Sequence, residues 1–181
     1  NGEYNKAKKT LKNFKEEDYF YHWYRVKKEA QIIAKQRNKK ESLNYIKAEF
    51  NKIKKPNNKM IFDLANFYKR SKNYKTAIKY YSKVIENIAE SSEIKSDLLY
   101  RRGSSYERSK DYLNADKDLI ESLNINPNDA YVLNYLAYSW LERDYKIKEA
   151  MEMLKTAYAE KSDDPYIIDS IGWAYYLIDN Y

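Results

Sequence analysis

The 181-residue sequence contains no cysteine, which excludes disulfide staples and thiolate metal sites and leaves the compartment open between cytoplasm and periplasm or envelope. Glycine and proline number only 3 each, so little interrupts helix, and long helices joined by short polar turns are expected. The single histidine, His22, stands in an aromatic run with no second histidine nearby, and a structural or surface role is the simplest reading. No stretch reaches the roughly 18 consecutive apolar residues of a membrane span. Glycine-rich phosphate loops and nucleophile elbows are missing too, so no catalytic residue, cofactor or metal is assigned. Acid pairs such as Glu16 with Glu17 and Asp163 with Asp164 fall where helices are expected to begin, and the helix dipole accounts for them.

Charge is plentiful and unevenly placed. Up to Asn57 there are 16 Lys and Arg against 7 Asp and Glu, whereas from Asn58 onward there are 18 against 20. The formal net charge of +7 is therefore a property of the first third. Such a block could meet nucleic acid, an anionic lipid surface or an acidic partner, although a solvated helical face is the plainer account.

The chain is organised by internal repetition. In its last stretch the order Ile168, Ile171, Gly172, Tyr175 matches Leu133, Leu136, Ala137, Trp140, then Leu99, Arg102, Gly103, Tyr106, then Ile61, Leu64, Ala65, Tyr68. The small residue recurs at 65, 103, 137 and 172, with spacings of 38, 34 and 35. A second small residue follows each of the first three, at Ala77, Ala115 and Ala150, with Tyr81, Leu119 and Leu154 four positions on. Val84, Ser122 and Ala157 close the units. Spacings of three, four and seven put these residues on one helical face, and two faces per unit describe a helical hairpin. Small residues at matched places let the two axes approach closely.

The pattern resembles the tetratricopeptide repeat (TPR), with a period of about 34 residues and the signature W-x2-L-G-x2-Y, A-x3-F, P. SIGWAYYLIDNY and YRRGSSYERSKDYLNADKDLIESLNINP carry the resemblance, with Pro127 in the closing slot. Arg102 stands where the family is apolar and Ser162 where proline is usual. The resemblance, strongest to bacterial TPR proteins including ones of the cell envelope, implies an all-α, right-handed α-solenoid of stacked antiparallel helix hairpins. One array is expected over 1–181. It comprises the second half of a truncated repeat (1–22), a degenerate repeat (23–57), three repeats (58–95, 96–129, 130–164) and a first helix (165–181). Ala7, Ser42 and Ala77 keep a spacing of 35, which holds the weak unit in register. Both ends cut a repeat, so the chain reads as a fragment of a longer protein.

Expected helices are 2–14, 17–36, 40–54, 58–71, 74–90, 94–109, 112–124, 130–142, 146–160 and one starting at Pro165 after an Asp164 cap. Four extra residues near Ile88 to Glu93 read as a lengthened helix or a loop.

In such an array the first helix of each unit lines a concave wall. By the resemblance its open positions are Phe62, Asp63, Asn66; Tyr100, Arg101, Ser104; Asn134, Tyr135, Tyr138; and Asp169, Ser170, Trp173, extended by Tyr131, Tyr166 and Tyr176. The residues taken as partner-binding are Asn66, Tyr100, Arg101, Tyr131, Asn134, Tyr135, Tyr138, Asp169, Trp173 and Tyr176, a set that turns aromatic toward the C-terminus. Tyr and Trp bury much area at low entropy cost and carry a polar tip, which suits a protein interface. The carboxylate clamp of chaperone-binding TPRs is not matched by Phe62, Asn66, Arg101, Tyr131, Tyr135, nor by Lys27, Gln31, Asp63, Asp97, Arg101. The expectation is a non-catalytic scaffold for a protein or peptide partner. Nucleic-acid or anionic-surface binding through the basic third is the alternative, and self-association through the uncapped last helix is a further expectation.

Overall fold

The apolar spacings do produce helices. The structure, a computed structural model, describes residues 2–12, 19–88 and 92–178, and among these it holds ten α-helices and no strand. They are Gly2–Lys12 (α1), Tyr19–Gln36 (α2), Lys39–Asn51 (α3), Asn58–Arg70 (α4), Tyr74–Ile85 (α5), Glu93–Arg108 (α6), Tyr112–Ile125 (α7), Ala130–Leu141 (α8), Ile147–Glu160 (α9) and Pro165–Leu177 (α10). Phe14, Glu16, Glu17, Tyr181 and residues 89–91 of the expected insertion lie outside the described residues. The helix expected over 74–90 stops at Ile85, and 86–88 form a turn that leads into the insertion.

Helix starts are written in side chains. Asn38, Asn57, Ser92, Asp111, Asp129 and Asp164 each accept a backbone N–H of the first turn, satisfying donors that a helix leaves unpaired. Three hairpin turns share one ending. Lys72, Lys110 and Asp144 take left-handed φ values of 60°, 64° and 56°. The next residue's N–H then returns to Tyr68, Tyr106 or Trp140 O at 2.9, 3.0 and 2.9 Å, closing the helix in the Schellman manner.

The chain divides into two compact units, Asn1–Val84 and Ile85–Tyr181. In the first, Val26, Ala30, Ser42 and Ile46 are buried, and Ser42 Oγ donates to Ala30 O at 2.6 Å. Leu64, Ala65 and Tyr68 of α4 are buried with Ala77, Tyr81 and Val84 of α5, and Tyr68 stacks on Tyr80 at 5.5 Å. Asp63 is buried as well, which corrects its expected place on an open wall. It accepts from Trp23 Nε1 at 3.1 Å and pairs with Lys27 at 2.8 Å and Lys59 at 3.0 Å.

In the second unit the α6/α7 crossing is set by Gly103. A methyl group there would lie 3.0 Å from Leu119 Cγ and 3.2 Å from Ala115 O, so the two helices touch through the missing side chain. Ser96 and Ser122, both buried, donate to each other's carbonyls at 3.1 and 2.9 Å. Between them Arg102, the expected breach of the apolar pattern, makes two 2.7 Å hydrogen bonds to buried Asp118, a bidentate pair that answers both charges. Leu136, Ala137 and Trp140 of α8 pack with Ala150 and Leu154 of α9 and with Ala174 of α10.

α10 departs from the expected register. Its fully buried side chains are Ile167 and Ala174, one position off the repeat slots. Ile168 is exposed, Gly172 has nothing within 4 Å of a Cβ, and Ile171 and Tyr175 are half-buried against the α8/α9 core rather than open.

Removing one partner of a buried pair costs about 3 kcal/mol or more, whereas an apolar replacement of both is near neutral. Asp118→Ala should therefore lower unfolding free energy by about 3 kcal/mol, and the double variant Arg102→Leu, Asp118→Leu should recover it; denaturant melts followed by circular dichroism measure both.

Candidate functional site

In the second unit the first helices of successive hairpins lie side by side, α8 touching both α6 and α10. Their hairpin faces are consumed by the core, which leaves one face each for solvent. On it stand Arg101 from α6, Tyr131 and Tyr138 from α8, and Asp169, Trp173 and Tyr176 from α10, while Tyr100, Asn134 and Tyr135 are half-buried, the two rings packed against the core. Tyr131, Tyr138, Trp173 and Tyr176 are exposed by 47, 39, 37 and 55%, large values for aromatic groups.

These aromatics are held in place. Tyr100 and Tyr135 meet edge to face with centroids 5.7 Å apart. Tyr135 Oη donates to Glu107 Oε2 at 2.8 Å, bridging α8 to α6. Trp173 Nε1 donates to Glu142 Oε1 at 2.9 Å, bridging α10 to the end of α8, and its ring stacks on Tyr176 at 5.3 Å. Tyr131 Oη donates to Asp164 Oδ2 at 3.2 Å, with Lys161 Nζ 5.2 Å from its ring centre. Fixed rotamers lower the entropy that a partner must remove on binding.

The wall has a pocket. A cavity of about 410 Å³ opens between the end of α6, the start of α7 and α8, with Glu107, Tyr112, Tyr135, Tyr138 and Glu142 on its sides. Burial, and after it Glu107, pushes the Tyr135 phenol well above its ordinary value. Tyr138 is raised by burial first and then by Glu142. Both phenols therefore remain protonated donors at neutral pH.

Other expected wall positions fall elsewhere. Ser104 and Ser170 are buried and donate to the carbonyls of Arg101 and Tyr166, at 3.1 and 2.9 Å, so they offer nothing to a guest. Arg101 is bound to Asp97 at 2.8 Å. In the first unit Asn66 accepts from Tyr81 Oη at 2.8 Å, and Phe62 lies beside the Tyr81 ring at 6.2 Å. Lys27 is engaged by Asp63, so the clamp run has its cations already committed there and at Arg101. No group of three or more His, Asp or Glu among the described residues could hold a metal ion. Glu107, Tyr112 and Glu142 were not among the expected site residues. Glu142 sits four residues after Tyr138, one turn along the same face, whereas Glu107 falls four residues after Gly103 of the α6/α7 crossing and no such offset marked it.

Comparison with known proteins agrees with this architecture. The tetratricopeptide repeat family profile matches residues 59–90 and 96–129. A TPR repeat-containing protein of Pseudomonas aeruginosa is 36% identical over 80 residues, 44% of this chain and 14% of that protein. The chain thus spans only a small part of this bacterial relative's length. A tetratricopeptide repeat protein from Parabacteroides merdae superposes with a TM-score of 0.75 at 18% identity, over 99% of this chain and 68% of that one. The first TPR of Spaghetti (RPAP3), bound to the HSP90 peptide SRMEEVD, gives a TM-score of 0.59 at 16% identity, over 67% of this chain and 93% of that one. At such identities the structures are alike in fold.

A hydrogen bond to a charged acceptor contributes about 1.5 kcal/mol or more. Tyr135→Phe should accordingly lower the stability of the second unit by about 1 to 2 kcal/mol in a urea melt while leaving the helical content of the folded chain unchanged.

Proposed function

We propose that this tetratricopeptide-repeat chain, a protein-interaction scaffold by its repeats, is non-catalytic and takes a partner polypeptide on the first-helix wall of its second unit. One observation carries the reading: exposed aromatic side chains from two adjacent helices occupy one face, and the ring of Trp173 is pinned by Glu142 and Tyr176. Solvent-facing aromatics fixed by hydrogen bonds and stacking keep their area available and lose little entropy on contact. The peptide bound to the similar Spaghetti repeat supports a polypeptide as the kind of guest. The expected partner residues are retained, with the weight on Tyr131, Tyr138, Trp173 and Tyr176; Asn66 and Arg101 contribute less, being held by Tyr81 and Asp97.

The basic first third supports a rival, nucleic-acid or anionic-surface binding, which would show a steep loss with salt. Self-association through the open side of α10 rests on exposed Ile168 and uncovered Gly172.

Photo-crosslinkers placed at Tyr138 or Trp173 should trap a polypeptide partner that a crosslinker at exposed Tyr158 on α9 does not. Trp173→Ala or Tyr138→Ala should weaken binding of the trapped partner by about 2 kcal/mol without unfolding the chain. Equal trapping at Tyr158, or unchanged affinity in both variants, removes the wall from the account.

A further inference from the structure

The cavity on this wall has a chemistry of its own. Tyr112, Tyr135 and Tyr138 line it, and two carboxylates border it, Glu107 from α6 and Glu142 just after α8. Both acids are oriented by neutral donors: Glu107 accepts from the Tyr135 phenol at 2.8 Å and Glu142 from the Trp173 indole at 2.9 Å. A hydrogen bond from a neutral group fixes a carboxylate without cancelling its charge. Two arginines also border the space, and their charges decide what it can accept. Arg143 is answered by Asp116 at 2.7 Å and donates to Ser139 O at 2.9 Å, so it belongs to the wall. Arg108 lies 3.7 Å from Glu107 with its side chain 63% exposed, at the rim. Asp169 adds negative charge nearby: with Glu142 it helps to raise the Tyr138 phenol, against an opposing pull from Arg108. Acids outnumber the bases that answer them.

The molecule already shows what such a surface holds. The Arg143 guanidinium sits 4.7 Å from the Tyr112 ring centre while bound to Asp116, a combination of aromatic face and carboxylate. The cavity offers the same combination to a visitor. Its volume of about 410 Å³ exceeds what a single long side chain fills.

We infer that the cavity formed by α6, α7 and α8 takes a lysine or arginine side chain of the partner polypeptide. The inference rests on the wall being the partner site and adds the charge of the guest: a cation lies on Tyr135 and Tyr138 with Glu107 and Glu142 as its counter-ions. An acidic segment meets Glu142 and the Arg108-paired Glu107 there and is rejected.

The test needs no identified partner. The folded chain is titrated by NMR with N-acetyl-L-arginine amide and, separately, with its neutral isostere N-acetyl-L-citrulline amide. The Trp173 indole N–H and the Tyr138 ring resonances should move with the arginine compound at concentrations where the citrulline compound leaves them unchanged. The double variant Glu107→Gln, Glu142→Gln keeps an acceptor oxygen at each position, so its melting temperature should be retained while arginine-amide affinity falls about tenfold. Equal shifts with citrulline amide, full affinity in the double variant, or no shift at the cavity would each overturn the assignment. If crosslinking at Tyr138 still traps a polypeptide in those cases, only the cationic guest is lost; if crosslinking fails as well, the wall itself is lost.

Discussion

Two helices can lie against each other only as closely as the side chains between them permit, and here that distance is governed by small residues at matched places. Gly103 meets Leu119 and the backbone of Ala115 with no room for a methyl group. Ala77, Ala115 and Ala150 are all fully buried in the corresponding slots. Where the crossing residue is serine, its hydroxyl donates to the facing helix's carbonyl, as between Ser42 and Ala30 or Ser96 and Ser122. Close contact then leaves these serine hydroxyls satisfied. This constraint fixes how each helix is rotated, and rotation decides which residues remain for solvent.

The wall follows from that rotation. With the small residue and the large residues beside it turned into the hairpin, the opposite side of α8 has to carry Tyr131 and Tyr138; α10, buried through Ile167 and Ala174, leaves Trp173 and Tyr176 outward. Exposed aromatics could collapse sideways onto apolar neighbours, but here carboxylates at helix ends hold them through their polar tips. Glu107, Glu142 and Asp164 each accept from a ring group on a neighbouring first helix or its end. The same acids that order the rings are the carboxylates of this surface, so its shape and the charge preference proposed for it share one origin. Acceptors at these positions serve packing first, and recognition uses what packing has already oriented.

Much of this was legible in the sequence because the relevant physics is local. Helix ends, apart from that of α5 at Ile85, fell within a few residues of those expected, set by Asn, Asp and Ser caps and by short turns, and the repeat slots at Leu64, Ala65, Leu99, Leu136 and Ala137 are all buried. What escaped depends on residues far apart in the chain. Arg102 looked like a defect in an apolar face until Asp118, a residue with no periodic reason to matter, was placed against it. Asp63 looked open because its partners Trp23 and Lys27 lie some forty residues earlier, in the least regular unit. Ser104 and Ser170 are short enough to be covered and bond back to their own helices. In α10 the period held but the buried face shifted toward Ile167 and Ala174, the side on which that helix packs against α8 and α9.

The two glycines of the repeat slot provide the most direct measurement, because a helix presses on Gly103 and nothing lies within 4 Å of a Cβ at Gly172. Gly103→Leu and Gly172→Leu should be compared by denaturant unfolding of this chain. Steric closeness at the α6/α7 crossing predicts a loss above about 2 kcal/mol for Gly103→Leu, and for Gly172→Leu a change within about 1 kcal/mol, set by helix propensity alone. A Gly103→Leu variant as stable as the parent, or two variants equally damaged, would contradict the claim that matched small residues set the hairpin geometry and, through it, the wall.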